Sequence, residues 1–446
     1  MSAAGERPTI FALSSAAGRA AIAVVRVSGP RASESIRALC GREPPKPRFA
    51  GLRRIASEGE RVDDALVLWF PAPATETGED MAEFHLHGGR AVTAAALQAL
   101  ASVPGLRPAG PGEFTRQAFE NGKLDLTQAE AIADLVEAET AAQRRQALRQ
   151  LDGAFGRQCE AWRGELLAAL ARAEAMIDFP DEDLPTGIIE RVRHQILGLQ
   201  KEITLLLDNR RGESLREGFS IAILGAPNAG KSSLLNFLSR REAAIVSAQA
   251  GTTRDVIEVH LDLAGYPVIL ADTAGLRDSD DEIEAEGVRR ARARAAAADL
   301  KLVLFDGAAW PAIDGESAAL LDKNAIALVS KADIARDLPG KPMIAGRPAR
   351  AVSVVTEAET EGLLKDIEAR VVGGLASGEA PALTRARHRL ALEDCATTLA
   401  RAAAAALPEL LTEDLRLAAR ALGRITGRVD VEEVLDAIFR EFCIGK

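Results

Sequence analysis

Residues 219–233 read FSIAILGAPNAGKSS, an apolar run that enters a glycine-bearing loop and leaves it through a lysine and two serines. From Gly225 to Ser232 the loop satisfies G-x-x-x-x-G-K-[ST]. Its glycines let backbone N–H groups crowd around phosphate oxygens, Lys231 offsets the β/γ charge, and the Ser232 hydroxyl can bind Mg²⁺. The run before the loop predicts a buried strand, and the residues after it predict a helix whose N-terminal positive pole adds to the site. Strand-like runs recur at VIEVHLDL, YPVILAD, LKLVLFD, AIALVS and ARAVSV, separated by helical stretches. This is the alternation of an α/β nucleotide domain, expected over residues 216–378.

Two further pieces follow in order. GTTR at 251–254 offers Thr253 as a switch ligand for Mg²⁺ and the γ-phosphate; DTAG at 272–275 closes a strand with Asp272 near the metal and Gly275 near the γ-phosphate. The three elements together predict a P-loop switch GTPase. The base is read at SKAD, 330–333. The carboxylate of Asp333 can accept from both N1–H and N2–H of guanine, which adenine cannot supply. Ser330 stands where the common N-K-x-D pattern has asparagine, and SVV at 353–355 stands where S-A-K-like text is usual. A hydroxyl can still bridge loops, so guanine preference with some loss is expected, and ATP use stays open. After DTAG comes Leu276, where Ras-type enzymes carry a glutamine that orients water, so another group must do that work. The stretch RDSDDEIEAEG that follows, with Asp280, Asp281, Glu282, Glu284 and Glu286, reads by itself as a solvated acidic loop.

The rest of the 446-residue chain is long enough for about three domains. It carries 47% hydrophobic residues, and no run approaches the roughly 18 apolar residues that span a bilayer, so a soluble protein is expected. The stretch after Arg7 resembles a signal peptide in passing, but Ala21–Val27 suits a folded β-element better. A net charge of -10, 4% aromatic residues and a single tyrosine argue against a broad nucleic-acid-binding surface and leave room only for local contacts. Four scattered cysteines (Cys40, Cys159, Cys395, Cys443) suggest neither a disulfide framework nor a zinc site, and a reducing cytoplasm is expected. His85 and His87 have a spacing that can ligate zinc, but no third ligand is evident, so they read as packing beside the turn glycines Gly88 and Gly89.

Residues 1–120 mix short apolar runs with Gly/Pro punctuation, as a compact α/β unit does. Residues 121–215 and 379–446 are helical in pattern. Thr127 and Glu130 have capping-box spacing, followed by Ile132, Leu135 and Val136 on one face. Phe155, Cys159, Trp162, Leu166 and Leu170 form one stripe; Val192, Ile196, Leu199, Ile203 and Leu206 form another; Val434, Leu435, Ile438, Phe439 and Phe442 form a last one. The economical architecture is multidomain, α/β plus all-α, with the nucleotide domain inserted into a helical one.

The chain ends FREFCIGK. A cysteine four residues from the end invites comparison with a prenylation box, but glycine and lysine at the last two positions suit one poorly. Together with RVSG, MAEFHLHGG, RPAGPGEFTRQAFENGKLDLTQAEAIADL and MIDFPDEDLP, the tail makes the chain resemble, end to end, the MnmE (TrmE) family of bacterial tRNA-modification GTPases. The resemblance implies an N-terminal tetrahydrofolate-binding domain that dimerises, with Arg26, Glu83, Lys123 and Lys446 as folate contacts and Cys443 beside the one-carbon unit, catalytic or structural. It implies a GTP site spanning Asn228, Ala229, Gly230, Lys231, Ser232 and Ser233, then Ser247, Ala248, Gln249, Ala250, Gly251, Thr252 and Thr253. Asp272, Thr273, Ala274 and Gly275, then Ser330, Lys331, Asp333 and Ser353, complete that site. It implies Mg²⁺ on Ser232 and Thr253, K⁺ on Asn228, Ser247, Gln249 and Thr252 in place of an arginine finger, and Glu284 as the acid that orients water beside the catalytic Lys231. The partners implied are the FAD-containing MnmG (GidA), tRNA and a second copy of the chain, with transient pairing of GTPase domains and no membrane. A regulatory or ribosome-associated switch GTPase without folate chemistry is the rival reading, and folate binding discriminates the two.

Overall fold

The computed structural model describes residues 7–178, 187–241, 243–245, 258–272, 298–376, 382–429, 432–440 and 442–445. The chain divides into two compact units, one made of 1–133, 150–192 and 404–446, the other of 134–149 and 193–403.

The first unit is built on a six-stranded sheet of β1 (Thr9–Leu13), β2 (Ile22–Ser28), β3 (Gly51–Ser57), β4 (Glu60–Phe70), β5 (Met81–His87) and β6 (Leu106–Pro108), in the order β3-β4-β5-β2-β1-β6. All neighbours are antiparallel except β1 and β6. Alternation along the strands sends Phe11, Val25, Val27, Val67, Phe84 and Leu86 to one face, where they are buried with Ile36 and Leu100 of the helices Ala32–Cys40 and Arg90–Ala101. The opposite face carries Arg26, Glu83 and His85 beside Leu52 and Leu66, cross-strand partners that are 68% and 44% exposed. That face is amphipathic and half open.

The helical residues of this unit behave largely as their periodicity predicts. Phe155, Cys159, Trp162, Leu166 and Leu170 are buried along the helix Ala154–Asp178, which packs on Pro408–Thr426 through Leu411, Leu415, Leu422 and Ile425, also buried. Pro408 starts the second helix at a position whose N–H has no intrahelical partner. Leu435, Ile438, Phe439 and Phe442 close against Leu126 and Ala129. The start of helix Leu126–Glu137 differs from expectation. The box is formed two residues earlier, with the Gln128 N–H donating to Asp125 Oδ1 (2.9 Å) and the Asp125 N–H to Gln128 Oε1 (3.0 Å). Thr127 therefore lies inside the helix, fully buried, and donates to Asp125 (2.7 Å), because a carboxylate accepts from several donors and outcompetes a hydroxyl as cap. Val136, expected on an apolar face, is 48% exposed at the helix end.

The second unit holds an eight-stranded sheet of β7 (Phe219–Gly225), β8 (Ala243–Ile245), β9 (Glu258–Leu263), β10 (Tyr266–Asp272), β11 (Leu300–Asp306), β12 (Ala325–Ser330), β13 (Met343–Ile344) and β14 (Arg347–Ala351). The order is β13-β14-β12-β11-β7-β10-β9-β8, and β14, β12, β11, β7 and β10 run parallel. Parallel strands are covered on both faces and read as continuous apolar runs, which is why FSIAILG and LKLVLFD were legible as strands. Ile223, Leu300, Leu302, Leu304 and Leu328 lie in one core, and Val303, Phe305 and Val329 in the core of the other face. Outside the sheet, Ile196, Leu199 and Ile203 are buried on the helix Ile188–Leu207.

Candidate functional site

In the second unit the carboxyl ends of β7, β10, β11 and β12 lie on one edge of the sheet, where parallel α/β folds bind ligands. Register puts Gly225 opposite Leu304, Asp272 opposite Ile223 and Ser330 opposite Asp306. Gly225 has φ +142°, and a Cβ there would collide with the carbonyl oxygen of Leu304, so the loop can leave the strand only through glycine. The loop continues through Asn228, at φ +65°, and Ala229, fully buried, into the helix Lys231–Arg241. Lys231 Nζ folds over the loop and donates to the carbonyls of Gly225 (2.9 Å) and Ala226 (3.0 Å); Asn228, Ser232 and Ser233 are exposed at the helix entrance. An ammonium, two exposed hydroxyls and a helix N-terminus thus stand within one short loop, the kinds of group that a phosphate chain and its Mg²⁺ require.

The residues expected to read the base join this edge. Ser330 donates its hydroxyl to the Ala229 carbonyl at 2.6 Å, with the Phe305 carbonyl 3.2 Å away, so it ties the base loop to the phosphate loop. One hydroxyl proton serves two carbonyls here, where an amide would bring two. Asp333 Oδ1 accepts from the Ser353 hydroxyl (2.6 Å), which leaves the other lone pairs of the carboxylate for a base edge. Lys331, at φ +53°, places Nζ 2.7 Å from Asp306 Oδ2. Asp306 was not singled out in the sequence, although an acid closing the run LKLVLFD was a usable signal. Ser247, Ala248, Gln249, Ala250, Gly251, Thr252, Thr253, Thr273, Ala274, Gly275 and Glu284 lie outside the described residues, and of Asp272 only the backbone is described.

In the first unit, Arg26 of β2 and Glu83 of β5 are direct cross-strand partners, bonded through Nε (3.2 Å) and Nη2 (3.0 Å) to Oε1. Glu76 takes the other side of the guanidinium at 2.6 Å, His85 Nε2 lies 3.1 Å from Glu83 Oε2, and Arg26 stands 6.0 Å from the ring centre of Phe114. His85 thus belongs to the charged cluster and not to packing, since an intermediate sheet face leaves its ring free to reach Glu83. His87 pairs separately with Asp63 (2.8 Å), and no metal-binding group of three or more His, Cys, Asp or Glu occurs among the described residues. Glu76 sits in no quoted motif, and Phe114, although within RPAGPGEFTRQAFENGK, is an apolar residue that nothing local points toward Arg26.

The end of the chain comes to the same unit. Ile444 bridges Pro111, the Gly112 N–H donates to the Cys443 carbonyl (3.4 Å), and Gly445, at φ +98°, passes so close to Leu13 that a Cβ would strike the Leu13 carbonyl oxygen. Lys446 itself lies outside the described residues. The Lys123 side chain passes Gly78, with Asn121 alongside. Cys443 is exposed, whereas burial pushes the thiol of Cys395 up to about 12 and that of Cys40, despite the nearby Arg53, up to about 11.

Residues 9–123 match the description "GTP-binding protein TrmE N-terminus" and residues 126–443 match "MnmE helical domain". A "tRNA modification GTPase MnmE" of Paramagnetospirillum magneticum is 57% identical over 98% of this chain and 99% of its own length. The protein of the same name from Parvibaculum lavamentivorans is 55% identical over 98% and 100%, and that from Caulobacter vibrioides 52% over 98% and 99%. Among solved structures, the G domain of the T. maritima FeoB iron transporter aligns with 34% of this chain and 97% of its own at 23% identity and a TM-score of 0.25, so the assignment rests on the loops and the full-length relatives. With family matches that run from residue 9 to residue 443 and relatives more than half identical over nearly the whole chain, this chain belongs to the MnmE (TrmE) family of tRNA-modification GTPases.

Proposed function

We propose that this enzyme is a K⁺-stimulated GTPase that works with the FAD-dependent MnmG (GidA) to modify C5 of the wobble uridine (U34) of certain tRNAs to an aminomethyl-type group, the carbon coming from 5-formyl- or 5,10-methylene-tetrahydrofolate. The observation that carries the nucleotide part is the Ser330–Ala229 bond beside the Ser353–Asp333 bond: one hydroxyl fixes the base loop to the phosphate loop, the other aims the acid at guanine. Lys231 offsets phosphate charge, Ser232 with Thr253 holds Mg²⁺, and Glu284 orients the attacking water. Asn228, Ser247, Gln249 and Thr252 hold K⁺, which when bound offsets transition-state charge as an arginine finger does.

The support for the folate part is the convergence of Arg26, Glu83, Lys123 and the tail in one unit, where a carboxylate suits a pterin edge and cations suit a glutamate tail. Homodimerisation through the N-terminal sheet is supported by its open face, where Ile22, Leu52 and Leu66 are 57%, 68% and 44% exposed. A cytoplasmic location is part of this reading and accords with four cysteines that are free; among the described residues no helix is long and apolar enough to cross a membrane. We further propose the insertion of the GTPase domain, 216–378, between helical parts 121–215 and 379–446.

Nucleoside mass spectrometry of tRNA from a strain lacking this gene tests the whole reading. The C5-substituted wobble uridine is expected to vanish and to return with the wild-type gene; its persistence overturns the assignment. Potassium tests the hydrolytic part. Turnover in K⁺ is expected to exceed that in Na⁺ at equal ionic strength, and Asn228→Ala to abolish the difference, because screening does not distinguish the two ions whereas a fitted cavity does. Equal rates in the two salts return attention to an arginine supplied from elsewhere.

A further inference from the structure

The cluster of Arg26 and Glu83 is not the end of the polar ground in the first unit. A cavity of about 460 Å³ is lined by Gly110 and Pro111 and by residues of the stretch RPAGPGEFTRQAFENGK, to which the sequence assigns no ligand except at Lys123. Pro111, the residue bridged by the chain end, lines it. The helix Glu113–Glu120 joins the two places, since its Phe114 faces Arg26 while its Arg116 and Gln117 line the cavity. A second link runs through Asn121, which bonds to the cavity residue Arg7 (3.1 Å) and abuts Gly78 together with Lys123.

The lining has a mixed character that restricts its ligand. Arg107 is bonded to Glu113 (2.9 Å), and Arg116 lies between Glu120 (3.0 Å) and Asp436 (2.9 Å). Arg440, exposed at the mouth, has no ion-pair partner among the described residues. Gln117 is 7% exposed, and its Oε1 is buried without a hydrogen-bond partner among the described residues. An acceptor left in that state costs about 1–3 kcal/mol unless a ligand donates to it. A bare polyphosphate has no donor for Gln117 and would meet three carboxylates. A chain that alternates amide N–H groups with carboxylates satisfies both kinds of wall.

We propose that this cavity holds the γ-linked glutamate tail of a folate whose pterin end sits at Arg26 and Glu83, with an amide N–H donated to Gln117 Oε1 and an α-carboxylate on Arg440. The proposal rests on the folate reading of the Arg26–Glu83 cluster. It explains why a cavity rich in guanidinium groups opens one loop away from that cluster and under the same chain end. The enzyme accordingly prefers polyglutamylated over monoglutamylated folate.

Titration calorimetry on the full-length protein tests it with three probes: 5-formyl-tetrahydrofolate monoglutamate, its tri-γ-glutamate form, and free tri-γ-glutamate. The triglutamate folate is expected to bind about tenfold more tightly than the monoglutamate, the scale of one added charge-assisted contact. Arg440→Ala, at an exposed position that burdens folding little, is expected to bring the ratio of the two affinities to about one, as is Gln117→Leu if that buried variant folds. Equal affinities in the wild-type protein overturn the proposal and leave the folate reading standing. Failure of both folates to bind overturns the folate reading and this proposal with it. Tight binding of free triglutamate with no advantage for the triglutamate folate assigns the cavity to acidic peptides and likewise overturns it.

Discussion

Lys231→Ala is expected to weaken GTP binding by roughly 10²–10³-fold, whereas Glu284→Ala leaves binding nearly intact and slows single-turnover hydrolysis by roughly 10²–10⁴-fold. The two residues act at different points of the reaction. Lys231 reaches over the phosphate loop, where its Nζ already sits 2.9–3.0 Å from two loop carbonyls, so it meets phosphate charge that exists in the bound ground state. An ammonium exchanging those carbonyls for phosphate oxygens gains charge-assisted bonds that an alanine forfeits. The acid aims water, an interaction made only on the way to the transition state, so its loss appears in turnover and not in affinity. Equilibrium binding of a non-hydrolysable GTP analogue, paired with single-turnover rates, separates the two effects. Normal turnover in Glu284→Ala removes that residue from the site and leaves Leu276 without a substitute.

Removing residues 443–446 is expected to abolish tRNA modification and to weaken folate binding by at least about tenfold while sparing intrinsic GTP hydrolysis. The tail is held by specific backbone geometry: the Ile444–Pro111 bridge, the Gly112–Cys443 bond, and a glycine at φ +98° against Leu13. Gly445→Val should therefore reproduce much of the truncation, since valine is strained at positive φ and its Cβ has no room beside the Leu13 carbonyl. The phosphate loop lies in the other compact unit and shares no residue with this contact. A lipid anchor at Cys443 predicts the opposite pattern, with membrane association lost and folate binding unchanged. Calorimetry with 5-formyl-tetrahydrofolate on both forms decides, and unchanged affinity takes Lys446 out of the site.

The sequence by itself determined the features whose physics is local. A phosphate loop is eight consecutive residues between a strand and a helix, so Gly225 to Ser232 could be read without knowing any distant contact. The stripes of Phe155–Leu170 and Ile196–Ile203 declared buried helix faces in the same way, because side chains three and four apart share a face wherever the helix packs. Ser330 was legible as a departure from N-K-x-D, yet the carbonyl it bonds belongs to Ala229, 101 residues earlier, and only the alignment of parallel strands chose that partner. Arg26 and Glu83 are 57 residues apart in sequence, and antiparallel register made them neighbours; a slip of one residue would have sent them to opposite faces. The cap at Asp125 was missed because Thr127–Glu130 has the same spacing as Asp125–Gln128, and nothing in the spacing tells which pair stands outside the first turn. The cavity beside Gln117 could not be read as a cavity from the sequence, although several of its residues lie in the quoted stretch RPAGPGEFTRQAFENGK. Its walls come from the start of the chain, the helix Glu113–Glu120 and the helix Glu432–Arg440, and long-range packing, which no local pattern encodes, is what brings such segments together.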